Sequence, residues 1–138
     1  MKKIILALIV FISAYTFAQK SNPPAAAKAA FAKAYPGATK VKWDKEDGGF
    51  EADFELKGKK MAATYDAKGV YQESEVAIQV SELPASVTAY MKEHYKGITV
   101  KEAARITKAN GAVNYEAAIK GKDVLFDANG KFIKEAKD

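Results

Sequence analysis

The chain carries a set of short motifs that recur in the same order in its two halves. Tyr65-Asp66-Ala67-Lys68-Gly69 in the first half matches Phe126-Asp127-Ala128-Asn129-Gly130 in the second, and Leu56-Lys57-Gly58-Lys59 matches Ile119-Lys120-Gly121-Lys122. Self-similarity in a fixed order indicates duplicated structural units. Because two units are too few for a solenoid, we expect them to share one sheet and one core.

Each half is predicted to begin with a helix. In the first half, Pro23-Pro24 precedes an alanine-rich run from Ala25 to Tyr35, and Pro36-Gly37 ends it. Proline suits the first turn of a helix, and alanine has the highest helix propensity. In the second half Pro84 takes the same place, and apolar residues recur at helical spacing: Leu83, Val87, Tyr90, Met91 and Tyr95.

Alternation of apolar and polar residues predicts strands after each helix, most clearly in Phe50-Glu51-Ala52-Asp53-Phe54-Glu55-Leu56-Lys57. A period of two gives a strand one buried and one solvated face, and short glycine turns separate such segments. We therefore predict an α+β fold of two tandem repeats, at about 25–80 and 81–138. Each repeat would have one helix and an antiparallel meander of about four strands. The helices would pack on one face of a shared curved sheet, leaving the other face polar and open.

The N-terminus has the three parts of a cleavable signal peptide. Lys2-Lys3 precedes an apolar stretch from Ile4 to Phe17, and small residues lie before a cleavage site after Ala18. The apolar run is shorter than the roughly 20 residues of a membrane-spanning helix, so we favour cleavage over a retained anchor. We predict a periplasmic or secreted protein without stable membrane insertion, with a signal peptide at 1–18, a short linker at 19–24 and a domain at 25–138.

The absence of cysteine and the presence of a single histidine exclude several kinds of site. Thiolate zinc sites, iron–sulfur clusters and thiol nucleophiles need cysteine, and His94 cannot supply two imidazoles. The formal net charge is +5, but lysines and acids are interleaved, as in Lys42-Trp43-Asp44-Lys45-Glu46-Asp47, and Arg105 is the only arginine. A nucleic-acid-binding surface concentrates Lys and Arg on one face, so we predict no nucleic-acid partner.

A series of motifs extends this pattern along the chain after the signal peptide: Tyr35-Pro36-Gly37-Ala38, Val41-Lys42-Trp43, Gly49-Phe50-Glu51-Ala52-Asp53-Phe54, Tyr65-Asp66-Ala67-Lys68-Gly69 and Val80-Ser81-Glu82-Leu83-Pro84. The series resembles the PepSY-like, β-lactamase-inhibitor-like family of exported bacterial proteins, over residues 25–135. The resemblance implies a periplasmic or surface-associated domain of helix-and-sheet repeats, and it supplies no catalytic residues. The second half departs from the first in having Ala103-Ala104 in the region that corresponds to Trp43.

Three groups of residues suggest a chemistry, and each also has a structural explanation. The Asp66–Gly69 and Asp127–Gly130 turns contain acids and a glycine, as calcium loops do, but a lysine occupies a would-be ligand position in the first, and hairpin turns explain both. Alternating acids on the strand at 50–57 could act as general acid and base in a cleft, yet they are typical of the solvated side of a sheet. His94 has no evident triad partner. We therefore predict no enzymatic activity, no cofactor and no metal.

The leading hypothesis is a non-catalytic periplasmic binding module that holds an envelope protein or peptide on the open face of its sheet. One version of it is an inhibitor of an envelope hydrolase. The alternatives are a small periplasmic hydrolase that uses sheet carboxylates, which would need a concave pocket, and a passive cell-envelope component. Candidate partner contacts are acidic residues and exposed aromatic residues in the strands: Trp43, Glu51, Asp53, Glu55, Tyr71 and Glu116.

Overall fold

The computed structural model describes residues 22–46 and 48–137. The predicted signal peptide at 1–18 lies outside the described residues. Within those ranges no helix has the length and apolar character that crossing a membrane requires. Eight strands form one antiparallel sheet in the order β1 to β8. The elements are α1 (Ala25–Ala34), β1 (Thr39–Glu46), β2 (Gly49–Leu56), β3 (Lys59–Tyr65), β4 (Tyr71–Ile78), a 3₁₀ turn (Val80–Glu82), α2 (Ala85–His94), β5 (Glu102–Lys108), β6 (Val113–Ile119), β7 (Lys122–Asp127) and β8 (Phe132–Lys137).

The predicted α+β class with two tandem helix-plus-four-strand repeats is wrong. The described chain is mainly β, because its two α-helices have only 10 residues each and the sheet has eight strands. The sheet is not divided where the two halves were expected to meet, since β4 pairs with β5 from Glu73↔Lys108 to Ile78↔Ala103. The recurring motifs mark similar turns, but backbone pairing continues from β1 to β8 and makes tandem repeats not evident.

The two helices lie where the proline signals predict them. α1 follows Pro24 and ends at Tyr35, whose backbone N–H donates to the Phe31 carbonyl oxygen at 2.9 Å. α2 follows Pro84 and ends in the same way at Tyr95. Each proline has no N–H to leave unsatisfied at the helix start, which is why it is tolerated there.

Both helices pack against the same face of the sheet. The buried residues of α1, Ala27 and Phe31, contact the α1 cluster on β2 and β3: Ala52, Phe54, Ala63 and Tyr65. The α2 cluster joins Leu83, Val87 and Met91 to Ala103, Ala117, Ile119, Val124 and Phe126. Strand register places both clusters on one face, through the pairs Ala52↔Ala63, Ala63↔Ser74, Ile78↔Ala103, Ala103↔Ala117 and Ala117↔Val124.

The two Asp-containing turns are hairpin turns, which confirms the structural interpretation of these motifs. Asp66 Oδ1 accepts hydrogen bonds from the backbone N–H groups of Lys68 at 2.8 Å and Val70 at 2.9 Å. Asp127 Oδ1 accepts from the corresponding groups of Asn129 and Lys131, both at 2.9 Å. An aspartate that caps its own turn in this way orders the backbone without any ligand.

Each of these turns also contacts the start of a helix. Gly69, at φ +79°, lies so close to α1 that a Cβ there would be 2.6 Å from the Ala26 carbonyl oxygen. On the other turn, Ser86 Oγ of α2 donates to the Asn129 carbonyl oxygen at 3.0 Å. These contacts hold both described helices on one face of the sheet, so neither α1 nor α2 lies on the other face.

Candidate functional site

The open face is the face of the sheet away from α1 and α2. Strand alternation and register place acidic residues from several strands on it. Glu51 lies opposite Thr64, which in turn lies opposite Glu73, while Glu116 lies opposite Ala104 and Asp123 opposite Ala118. Acids of the open face include Asp44 on β1, Glu51, Asp53 and Glu55 on β2, Glu73 and Glu75 on β4, Glu102 on β5, Glu116 on β6 and Asp123 on β7.

Five of these acids are buried, although neither α1 nor α2 covers them. We call them the acidic cluster, and their exposed fractions are 6% for Glu51, 4% for Glu73, 0% for Glu75, 3% for Glu116 and 1% for Asp123. Small or apolar side chains of the same face are buried on β3, β5 and β7: Ala62, Thr64, Ala104, Ile106 and Leu125. The open face is therefore a lined concavity rather than a flat, solvated surface.

We attribute this burial to curvature of the sheet. Neighbouring strands are about 4.8 Å apart, so β4 and β7 would be separated by about 14 Å in a flat sheet. Nevertheless Asp123 on β7, Glu116 on β6 and Glu51 on β2 all act electrostatically on Glu75 of β4. Side chains from strands that are distant in the sheet order therefore converge on the concave side.

Burial and like charge both act on the carboxyl group of Glu75. Burial raises the pKa of its carboxyl group well above the ordinary value of 4.5, and the nearby carboxylates of Glu116, Glu51, Glu73 and Asp123 raise it further. Neither of its carboxyl oxygens has a hydrogen-bond partner among the described residues. Both effects favour the neutral acid, so Glu75 holds a proton at pH values where an exposed glutamate is ionised.

Lysines accompany the acids at the edges of the open face. Lys108 Nζ donates to Glu73 Oε2 in a partly buried ion pair across β4 and β5. Lys40 Nζ lies 2.9 Å from Glu55 Oε1 in a more exposed pair. Asp53 is half-buried, and its pKa is raised by desolvation and by Asp44, while the opposing Lys42 lowers it.

The structure brings together some of the sequence-predicted site residues and separates others. Glu51 and Glu116 belong to the acidic cluster, and Asp53 and Glu55 lie beside it on β2. The expectation that this face is solvated is wrong for Glu51 and Glu116, because the concave sheet buries both.

The two predicted aromatic contacts lie on the helix-covered face. Trp43 packs edge-on against Phe31 of α1, with ring centroids 5.4 Å apart. Tyr71 packs against Tyr65 at 6.0 Å, and its hydroxyl donates to the Thr107 carbonyl oxygen at 2.9 Å. Both residues are half-buried at the edge of the α1 cluster, so they do not share a surface with the acids.

Sequence reasoning missed Glu73, Glu75 and Asp123. A signal for the first two is present, because Glu73 and Glu75 alternate with Ser74 and Val76 along β4 as the acids of β2 do. No pattern in the sequence indicates that these acids are buried. Among the described residues, no group of three or more His, Asp or Glu side chains is arranged to hold a metal ion.

Several solved structures share this fold. A BLIP-like protein from Bacteroides fragilis is 25% identical, with a TM-score of 0.66 over 85% of this chain and 87% of that chain. A DUF2874 family protein from Bacteroides uniformis is 22% identical, with a TM-score of 0.70 over 84% and 90%. A candidate periplasmic protein from Bacteroides eggerthii is 16% identical, with a TM-score of 0.71 over 85% and 90%.

These similarities extend along most of each chain and support the β-lactamase-inhibitor-like part of the family resemblance at the level of fold. The PepSY-like part is not shown. No protein-family model matches the sequence, and no curated protein sequence matches it.

Proposed function

We propose that the chain is a non-catalytic periplasmic binding module that holds a protein or peptide on the open face of its sheet. The observation that carries the proposal is the acidic cluster, which gathers buried carboxyl groups on the face that α1 and α2 leave uncovered. Carboxyl groups are rare in the interior of a protein, and those that occur there are paired or hydrogen-bonded. Their concentration on the uncovered face therefore fits a recognition surface better than it fits a structural core.

The comparisons support the two other parts of the proposal. A periplasmic location agrees with the Bacteroides eggerthii neighbour and with the signal peptide that the sequence predicts. The BLIP-like neighbour favours the version in which the bound partner is an envelope hydrolase and the chain is its inhibitor. Neither neighbour carries the description of an enzyme.

A capture experiment with matched charge changes tests this function. The tagged chain is immobilised and exposed to an envelope extract at low and at moderate salt, and the retained proteins are identified. Asp53→Lys reverses a charge beside the acidic cluster, whereas Glu93→Lys makes the same change at an exposed position of α2. We expect a defined protein to be retained in moderate salt, to be lost with Asp53→Lys and to be kept with Glu93→Lys.

Other outcomes would contradict the proposal. Retention that disappears in moderate salt for all three proteins would indicate a passive, charge-driven association with the envelope. Equal loss of the partner with both variants would place the contact away from the open face. Recovery of no specific protein even at low salt would remove the support for a binding module.

A further inference from the structure

We propose that the acidic cluster receives a lysine side chain that the bound protein or peptide presents to the concave side of the sheet. This inference rests on the proposed function, because it names the chemical group by which the same face recognises its partner. It is carried by the position of Glu75 within the cluster and by the charges that surround it.

The surroundings of Glu75 favour the binding of a positive charge beside it. Its side chain is fully buried, and within the part of the chain that the structure describes both of its carboxyl oxygens lack a hydrogen-bond partner. A buried polar group without a partner destabilises the fold, and it does so more strongly if it is charged. An ammonium group placed beside Glu75 would supply both the hydrogen bonds and the charge.

The groups that face Glu75 come from every strand around it. They are carboxyl groups on β2, β4, β6 and β7, namely Glu51, Glu73, Glu116 and Asp123. β3 contributes the uncharged Ala62 and Thr64, and β5 contributes Ile106 and Lys108. Lys108 is paired with Glu73. The electrostatic neighbours of Glu75 itself are therefore negative, and the concavity is complementary to a cation.

A lysine ammonium fits this environment better than a metal ion does. No group of three potential ligands is arranged for a metal within the described residues. An ammonium group instead makes hydrogen bonds with up to about three acceptors in several directions, and its methylene stem is slender and apolar. Ala62, Ala104 and Leu125, on the same concave face, are suitable neighbours for such a stem.

Binding of an ammonium group beside Glu75 should release a proton from its carboxyl group. In the free protein, burial and the neighbouring acids favour the protonated form of Glu75, whereas a neighbouring positive charge favours its carboxylate. On binding, the O–H bond of Glu75 breaks, its proton passes to the buffer, and the lysine ammonium keeps its own three protons. Binding should therefore release at most about one proton per site and tighten by up to about tenfold per pH unit, as long as free Glu75 is protonated.

Isothermal titration calorimetry with an acetylated and amidated tetralysine peptide tests the inference. The purified chain, expressed with its own N-terminus, is titrated at about pH 6 and 7 in two buffers of different ionisation enthalpy. The control titrant is the same peptide with every ε-amino group acetylated. We expect saturable binding of tetralysine with proton release, tighter at the higher pH, and no binding of the acetylated peptide.

Two variants assign the effect to the cluster. Glu75→Gln keeps the shape and neutrality of the protonated acid, so it should fold, and we expect it to abolish proton release and to weaken binding about tenfold or more. Glu93→Gln removes the same charge from the exposed surface of α2 and should behave as the parent protein. Absence of saturable tetralysine binding, or proton release that persists in Glu75→Gln, would overturn the inference, as would binding of calcium chloride alone in place of the peptide.

The inference and the proposed function can fail separately. In one outcome, a captured envelope protein is lost with Asp53→Lys but is neither displaced by tetralysine nor lost with Glu75→Gln. This outcome would support the binding module and refute the lysine site. A captured protein that tetralysine displaces and that Glu75→Gln fails to retain would support both the binding module and the lysine site.

Discussion

The burial of the Glu75 carboxyl group predicts how the stability of the protein changes with pH. Replacing it by glutamine in Glu75→Gln preserves the side-chain volume and removes one ionisable proton from the centre of the acidic cluster. The folded parent protein raises the pKa of this group well above 4.5 through desolvation and four neighbouring carboxylates. The unfolded chain has no such environment, so its Glu75 titrates near the ordinary value.

The direction and size of the effect follow from proton linkage. Between about pH 4.5 and the raised pKa of folded Glu75, the folded state binds more protons than the unfolded state, so rising pH favours unfolding. One proton corresponds to at most about 1.4 kcal/mol per pH unit. Glu75→Gln has no ionisable group at this position, so it does not lose stability in this way as the pH rises. Its advantage over the parent protein should therefore be small below pH 4.5 and should grow by up to about 1.4 kcal/mol per unit above it.

Urea unfolding of the two proteins at about pH 4, 5, 6 and 7 measures this difference, and Glu93→Gln provides the control for losing one exposed acid. We expect the free energy of unfolding of the control to follow the parent protein at every pH. Parallel curves for the parent protein and Glu75→Gln would refute the burial and charge environment assigned to Glu75. A parent protein that gains stability with pH relative to Glu75→Gln would refute the sign.

Three further substitutions test other contacts by urea unfolding near pH 7. Gly69→Ala should lose at least about 1 kcal/mol more stability than Gly58→Ala. Both glycines have positive φ, at a cost of about 1–2 kcal/mol for alanine, but only a Cβ at Gly69 would meet the helix backbone. Equal losses would contradict this contact. Lys108→Met should lose about 3–5 kcal/mol, because it leaves the buried carboxylate of Glu73 without its cation. Lys40→Met, at an exposed ion pair, should change stability by less than about 1 kcal/mol. Similar losses for the two variants would argue against the burial of the Lys108–Glu73 pair. Phe126→Ala should lose about 3–5 kcal/mol as a fully buried ring, and a loss below about 1 kcal/mol would remove it from the α2 cluster.

Local signals predicted the elements of this fold well. Pro24 and Pro84 immediately precede the two helices, and the alternation that begins at Phe50 falls within β2. Such signals act through the φ angle of one residue or through the pleat of one strand, so they can be recognised in a short window of sequence.

The fold class was wrong because it depends on pairing between distant segments. The similarity between the Asp66 and Asp127 turns suggested separate repeated units, and nothing in a local window shows that β4 pairs with β5 as continuously as any other two strands do. The short helices add few residues to a long sheet, which makes the described chain mainly β.

The candidate site was predicted in part, and its limits have a physical cause. Alternation correctly placed Glu51 on the face opposite Phe54, but it cannot say whether that face is exposed. The burial of Glu51 and Glu75 arises from the curvature of the whole sheet, to which every strand contributes. Trp43 and Tyr71 illustrate the converse, since their aromatic character suggested a binding surface and their register places them beside α1.

The order of the strands has a consequence for how the molecule folds. Each strand pairs with its neighbour in the sequence, so the sheet can grow by successive hairpins, and such local contacts favour rapid folding. The carboxyl groups around Glu75 come from β2, β4, β6 and β7, and they meet only when the growing sheet has curled. If this convergence follows the rate-limiting step, raising the pH should leave the folding rate nearly unchanged and should accelerate unfolding.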